Sequence, residues 1–145
     1  RPLLMIAKDV EGQALATLVI NIAGKVLKAC AVKAPGFGDE QGDLLEDIAL
    51  LTGGRVIAKD KGGDLQNEGA ESFGEAIKVI ITKNKTTIIG GSGNESSVKE
   101  RVDLLRSQVK LASSKWDREK LEKRVGKLGS GVAVELGTKY QFLSI

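Results

Sequence analysis

Residues 26–52 read VLKACAVKAPGFGDEQGDLLEDIALLT, and this stretch decides the fold class. It opens with an apolar run over 26–32 that predicts a strand, passes through a glycine-containing turn, and continues as a helical pattern over Asp39–Thr52. Four apolar residues recur on one face of that helix: Leu44, Leu45, Ile48 and Leu51. Asp39 is expected to cap the helix, and the pair Gly53-Gly54 to end it. A strand joined to a helix by a tight turn indicates an α/β fold.

The turn AVKAPGFGD at 31–39 has two interpretations. Glycine-rich turns between a strand and a helix often bind phosphate. Here only Gly36-Phe37-Gly38 of a G-x-G-x-x-G pattern is present, and Asp39 and Glu40 would oppose an anion. The pattern therefore favours a structural turn, in which the proline and the glycines set the backbone and Phe37 anchors the loop on the apolar layer. A small Rossmann-like domain that binds a phosphate or a nucleotide at this turn stays the alternative.

Hydrophobic periodicity predicts further elements on both sides of this unit. Strands are expected over Leu3–Ala7, 55–58, 77–82 and 86–89, a helix over 13–22, and a loop over 59–76 with at most a helical turn near Phe73. The polar connection between the last two strands is typical of a β-hairpin. The alternation of strands and helices predicts an α/β domain with a single core.

The second half of the chain predicts an antiparallel helical hairpin over about 95–128. Asn94 is expected to cap a helix, and Ser114 with Asp117 matches a capping box for the next one. The apolar positions of the two helices recur near a 3.6 period: Val98, Val102, Leu105 and Val109, then Leu121, Val125 and Leu128. A strand over 131–136 is expected to follow the hairpin.

Composition excludes several classes of site. The chain has 145 residues, no histidine and one cysteine, so imidazole-based catalysis and Cys/His zinc sites are excluded. The net charge of +3 gives a mixed surface and predicts no nucleic-acid binding. No run is apolar enough to span a bilayer, so no membrane partner is expected. Cys30 is interpreted as a small apolar residue, with a reactive thiol as the alternative.

Six blocks of the sequence resemble group I chaperonins of the GroEL type. In order they are KDVEGQALATLV, AVKAPGFGD, DIALLTGG, TTIIGGSG, WDREKLEKRV and GVAV. The resemblance covers residues 1–134 and lies in the apical domain of that family. It implies a layered, swivelling β/α fold of the apical-domain type with a C-terminal helical hairpin, truncated on its N-terminal side.

The resemblance also implies a chaperone function. Family members form seven-membered rings that bind non-native polypeptides and a GroES-like co-chaperonin, driven by ATP and Mg²⁺ bound elsewhere in the subunit. Residues that match the family's apolar contacts are Leu15, Val19 and Ile20, with Asn21 beside them. Ser130 and Gly131 match a hinge. A bacterial member would be cytoplasmic, and a eukaryotic one would lie in the mitochondrial matrix or the plastid stroma.

The helix predicted over 13–22 supports this implication independently, because its apolar residues are too many for one buried face. An outward apolar surplus marks an interaction site. Without the resemblance, the same segment would be interpreted as a deeply buried helix.

The sequence departs from the family pattern at both ends. The first of the family's two groove helices would precede Arg1, so the chain is expected to be cut from a longer protein. Residues 135–145 (ELGTKYQFLSI) resemble nothing in the family and are expected to be an unrelated tail. The ATP site and the hydrolytic aspartate have no counterpart here. We therefore expect no catalytic, cofactor-binding or metal-binding residue, and passive binding without enzymatic activity.

Overall fold

In the computed structural model, which describes residues 1–131, strands and helices alternate and are followed by a pair of helices. The strands are β1 (Leu3–Ala7), β2 (Ala29–Lys33), β3 (Ala76–Ile81) and β4 (Thr86–Gly91). The helices are α1 (Gly12–Ala23), α2 (Asp39–Thr52), α3 (Glu95–Leu111) and α4 (Lys115–Ser130). The described part of the chain is therefore mixed α/β, as the sequence predicts. The strand expected over 131–136 and the tail over 135–145 lie outside the described residues.

The strands form two separate two-stranded sheets. β1 and β2 pair in parallel, from Leu3 opposite Ala29 to Ala7 opposite Lys33, with α1 as the crossover between them. β3 and β4 pair antiparallel as a hairpin, as predicted. The first sheet is therefore built around the strand–turn–helix unit, and the second is a local hairpin that follows it.

One predicted boundary, the start of β2, and one predicted cap, that of α2, are wrong. β2 begins at Ala29 because the N–H groups of Val26 and Leu27 donate to the Asn21 carbonyl, 3.0 and 3.1 Å away, and so close the end of α1. α2 is capped by Gly38, and Asp39 is its first residue. Gly38 has a φ of 58°, which favours glycine at the cap.

The predicted strand over 55–58 is absent from the described structure. The Arg55 N–H donates to the Ser72 carbonyl, 3.0 Å away, and its guanidinium pairs with Glu68. These bonds tie the segment to the following loop, so it does not pair with a neighbouring strand. That loop contains three short 3-10 turns, at Lys59–Lys61, Leu65–Asn67 and Ala70–Ser72, where the sequence predicts at most one turn near Phe73.

The helical hairpin begins with two caps that the sequence predicts correctly. The Asn94 side chain accepts a hydrogen bond from the Ser97 N–H at 3.1 Å. Ser114 Oγ accepts one from the Asp117 N–H at 3.0 Å and donates to the Asp117 carboxylate at 2.8 Å. Because each cap satisfies N–H groups that have no partner inside the helix, both helices start at sharply defined residues.

The buried apolar residues form two clusters, where the sequence predicts a single core. One cluster contains Val32, Ile48 and Ile88, and joins the two sheets to α2. The other contains Val102, Leu105 and Leu128, inside the hairpin of α3 and α4. α2 contributes to both, since Ile48 belongs to the first and Leu51 packs against the second. α2 is therefore the element that connects the sheets to the hairpin.

A buried ion cluster lies at this connection. The Asp47 carboxylate on α2 accepts hydrogen bonds from Arg124 Nε at 2.7 Å and Nη2 at 3.1 Å, and from Arg101 Nε at 3.1 Å. Asp47 and Arg124 are 5% and 9% exposed. Burial would lower the pKa of Arg124, but the hydrogen bond and charge of Asp47 outweigh burial and raise this pKa above its ordinary value. Arg124 therefore keeps its charge, and the hydrogen bonds of Asp47 fix α4 and α3 on α2.

Replacement of Asp47 by alanine should destabilise the fold strongly. Asp47→Ala leaves Arg124 buried without its main partner, which typically costs about 3 kcal/mol or more in the free energy of unfolding. Asp103→Ala is the matched control, because Asp103 and Arg106 form an ion pair whose side chains are 58% and 64% exposed. The control should change the stability by less than about 1 kcal/mol. Urea unfolding followed by circular dichroism measures both, and equal losses would contradict the role given to Asp47.

Candidate functional site

α1 is a helix without a charged residue, GQALATLVINIA over Gly12–Ala23. It ends at Gly24, whose N–H donates to the Ile20 carbonyl at 2.9 Å. Lys25 follows with a positive φ of 57°, and its N–H donates to the Ile22 carbonyl. The chain therefore turns away immediately after the helix, and residues 12–17 at its other end are all exposed.

The apolar residues of α1 differ in exposure. Ile22 is buried at 5% exposure, and Leu18 and Val19 are half-buried. Ile20 is 70% exposed and Leu15 is 37% exposed. We call Leu15, Val19 and Ile20 the α1 apolar surface. The expectation that these three side chains lie at least partly in solvent is confirmed, and their role in binding stays a prediction.

Asn21 borders this surface, and its amide bonds back along its own helix. Its Nδ2 donates to the Thr17 carbonyl at 2.7 Å, one helical turn earlier. Val26 lies beyond the end of α1 and is 79% exposed. Sequence analysis placed Val26 in a strand and so did not recognise it as exposed. Gly24 is the sequence signal for the exposure of Val26, because a glycine there ends the helix two residues earlier.

The turn before α2 is held by a side chain. Gln41 Nε2 donates to the carbonyls of Ala34 at 3.2 Å and of Gly36 at 3.3 Å. The prediction that Phe37 anchors the loop on the apolar layer is wrong, because Phe37 is 92% exposed. Gly36 and Gly38 on either side have φ values of 73° and 58°, and the Gln41 amide draws the carbonyls inward, so the side chain between them points to solvent.

The charges around the N-terminus of α2 are mainly acidic. Asp39 and Glu40 occupy its first turn, where they interact favourably with the helix dipole. Glu40 also forms an ion pair with Lys120 Nζ on α4 at 3.0 Å. The acidic charges in the first turn would therefore oppose the phosphate of the alternative interpretation.

A cleft of about 400 Å³ opens on another side of α2, and sequence analysis did not identify it. Its floor includes Leu50 and Val56, and two ion pairs lie at its rim, Glu46 with Lys61 and Arg55 with Glu68. The hydrogen bond from Arg55, together with one from Ser72, lowers the pKa of Glu68. The charged groups of the cleft are therefore paired with one another.

The two predicted hinge residues lie at the end of α4. Ser130 is the last residue of the helix, and its hydroxyl donates to the Lys127 carbonyl at 3.0 Å. Gly131 caps the helix with a φ of 62°, a conformation that favours glycine. The structure thus shows a helix end at these residues, and the hinge role stays a prediction.

No family model matches the chain. Among residues 1–131, no group of three acidic or cysteine side chains is placed to hold a metal ion. No helix in the same range is long and apolar enough to cross a membrane.

Removal of the Gln41 amide should weaken the turn, whereas removal of Phe37 should not. Gln41→Ala deletes two hydrogen bonds to carbonyls, and we expect a loss of about 1 kcal/mol in the free energy of unfolding. Phe37→Ser is the matched control four residues away, and we expect its effect to stay within about 0.5 kcal/mol. Chemical denaturation measures both, and a larger loss for Phe37→Ser would show that the phenyl ring does anchor the loop.

Cys30 should behave as an apolar residue with a poorly reactive thiol. It packs against the cluster of Val32, Ile48 and Ile88, and burial raises its pKa. Because this folded-state pKa exceeds the unfolded one, the thiol contributes stability that is lost as the pH rises past the ordinary thiol pKa. Alkylation by iodoacetamide at pH 8 should be slower in the native protein than in urea, by about tenfold. Equal rates in the two states would indicate a reactive thiol.

Proposed function

We propose that this chain is part of a chaperonin-type apical domain and binds non-native polypeptides through the α1 apolar surface. The observation that carries the proposal is an uncharged helix with Ile20 70% exposed and Leu15 37% exposed. Such residues lose contact with water when they meet an apolar segment of another chain, and this burial lowers the free energy of the complex. The stabilisation does not depend on a defined sequence in the partner. Unfolded proteins, which expose apolar segments of many sequences, are therefore the class of ligand that this surface suits.

The positions of the chaperonin-like blocks on the structure support the same proposal. AVKAPGFGD runs from β2 through the turn into α2, TTIIGGSG contains β4, and WDREKLEKRV lies on α4. Each of these three blocks coincides with an element or a tight connection rather than with scattered surface positions. Within the mixed α/β class, we propose that the chain has a swivelling β/α fold of the apical-domain type. In this assignment α3 and α4 form its helical hairpin.

We expect the binding to be weak and passive. A lone helix face that buries about 300 Å² of apolar area gains on the order of 7 kcal/mol. Association costs about 4 to 15 kcal/mol, so the net affinity falls in the high-micromolar to millimolar range. In the full-length family, a seven-membered ring, ATP and a GroES-like co-chaperonin act on this surface, and Ser130 with Gly131 would serve as the hinge. We expect none of the ATP-driven steps from this chain alone.

Loss of apolar groups from α1 should weaken the binding of a non-native polypeptide, here called the client, and leave the fold intact. We expect Val19→Ser combined with Ile20→Ser to reduce the suppression of aggregation of a chemically unfolded client by about tenfold or more. Leu111→Ser is the matched control, because Leu111 is 84% exposed at the end of α3. Light scattering during client refolding measures the effect, with circular dichroism to confirm folding. Equal suppression by all variants would contradict the assignment to α1.

The same assay separates this proposal from the alternative of a phosphate or nucleotide site at 31–39. We expect ATP and Mg²⁺ to leave the suppression of client aggregation unchanged. Titration calorimetry with ATP or inorganic phosphate should give no heat of binding. An affinity for either ligand that is lost in Gly36→Ala would favour the alternative. An ATP-dependent rise in the yield of refolded client would refute passive binding.

A further inference from the structure

The C-terminal end of α1 adjoins a further exposed apolar side chain. Ile20 and Gly24 are four residues apart, so they lie on the same side of the helix. A Cβ atom at Gly24 would lie 3.8 Å from Cγ2 of Val26, so Val26 sits beside the Gly24 backbone, one helical turn beyond Ile20. Ile20 and Val26 are 70% and 79% exposed. We call these two residues the α1 end patch.

Two lysines accompany the α1 end patch. Lys25 lies between Gly24 and Val26, and Lys28 follows two residues later. Val26 and Lys28 are exposed and Leu27 between them is half-buried, so the first two side chains lie on the solvent side of the same short segment. Lys25 is exposed as well. Within residues 1–131 neither ammonium group has an ion-pair or hydrogen-bond partner, so both charges are available to another molecule.

The acidic groups nearest along the chain do not cancel these two charges. The sequence from Gly12 to Gly38 contains no aspartate or glutamate. Asp9 and Glu11 precede α1 and so lie towards its opposite end, about 18 Å along the helix axis. Glu75 is paired with Arg1 at 2.6 Å. The α1 end patch is therefore an apolar surface whose neighbouring charge is positive.

The backbone at this end of α1 is closed to a partner. The carbonyls of Ile20, Asn21 and Ile22 accept hydrogen bonds from the N–H groups of residues 24–27, at 2.9 to 3.1 Å. A helix end with open carbonyls favours cationic groups, but here the chain itself satisfies those carbonyls. Recognition at this end consequently falls to the apolar side chains and to the two ammonium groups.

We propose, on the basis of the function proposed above, that the α1 end patch selects non-native segments in which acidic residues flank an apolar one. Ile20 and Val26 receive the apolar side chain, and Lys25 and Lys28 attract the carboxylates beside it. Segments with basic flanks meet a like charge and are disfavoured. Exposed ion pairs contribute little each, so the two lysines give a preference of about fivefold and not a strict specificity.

A lipid surface with anionic headgroups is the other partner that exposed apolar residues and lysines suit. Helices that lie on such surfaces have basic residues along their polar face and aromatic residues among their apolar ones. α1 contains neither a charged nor an aromatic residue, and both lysines lie beyond its end. Charge at one end of a short apolar patch fits a polypeptide segment better than a membrane.

The experiment is an NMR titration of the 145-residue chain with three synthetic peptides that share one apolar centre and carry glutamate, glutamine or lysine on both sides of it. We expect the glutamate peptide to bind about fivefold more tightly than the glutamine peptide, and the lysine peptide to bind most weakly. Raising NaCl to about 0.5 M should remove most of this order, because the screening length falls to about 5 Å.

Variants of the lysines assign the preference to this end of α1. Lys25→Gln combined with Lys28→Gln should abolish the order of the three peptides and leave the affinity for the glutamine peptide unchanged. Lys99→Gln combined with Lys123→Gln is the matched control, because it removes the same charge from exposed positions on α3 and α4. The control should keep the order, and circular dichroism confirms that each variant folds.

The outcomes separate this inference from the proposed function. Equal binding of the three peptides, weakened by Ile20→Ser, would overturn the charge preference and leave the proposed function standing. Binding of no peptide, or binding that Ile20→Ser leaves unchanged, would overturn the proposed function and the preference with it. Sedimentation with vesicles that contain phosphatidylserine, lost in the Lys25 and Lys28 variant and without a peptide preference, would assign the lysines to a lipid surface instead.

Discussion

The buried carboxylate of Asp47 is the constraint on which the arrangement of the helices depends. It is 5% exposed, and a charge that far from water is tolerated only with close partners of opposite sign. Arg101 on α3 and Arg124 on α4 provide them. Since α2 also contributes Ile48 to the cluster between the sheets, its orientation fixes both halves of the structure at once. The hairpin is therefore fixed in direction by charge and held in place by apolar contact.

This use of charge contrasts with α1. The acidic groups of α2 face basic groups of the hairpin, as Glu40 does with Lys120 and Asp43 with Arg124. α1 has no charged residue at all, so none of its side chains can form an ion pair. The chain thus combines a connection whose charges specify one geometry with an exposed helix that has no charge to specify a partner. If the proposed function is correct, the first feature keeps the domain folded and the second binds unfolded proteins of many sequences.

The elements that the sequence predicts best are those set by local physics. α2 spans Asp39–Thr52 as predicted because its apolar spacing, its acidic first turn and Gly53 agree with one another. The caps at Asn94 and Ser114 are similarly local. The exposure of α1 was predicted from its apolar surplus together with the family resemblance, because the residues alone favour a deeply buried helix.

The elements that the sequence does not predict depend on partners far along the chain. Asp47 meets Arg101 and Arg124 across separations of 54 and 77 residues, and no local pattern indicates that pairing. The segment at 55–58 has the composition of a strand, but its first N–H bonds to Ser72. Phe37 is a local exception, because the turn is held by the Gln41 amide through carbonyls five and seven residues earlier and not by the phenyl ring. In each of these cases hydrogen bonds that the apolar pattern does not reveal decided the structure.

The central claim is that α1 is the surface that holds non-native polypeptide. Hydrogen–deuterium exchange, read by mass spectrometry with and without a permanently unfolded client, tests it most directly. The account predicts slower exchange on client binding in peptides that cover Gly12–Ala23 and the adjoining Val26, and unchanged exchange in α3 and α4. Protection confined to the turn at 31–39 or to the hairpin, with α1 unaffected, would contradict it.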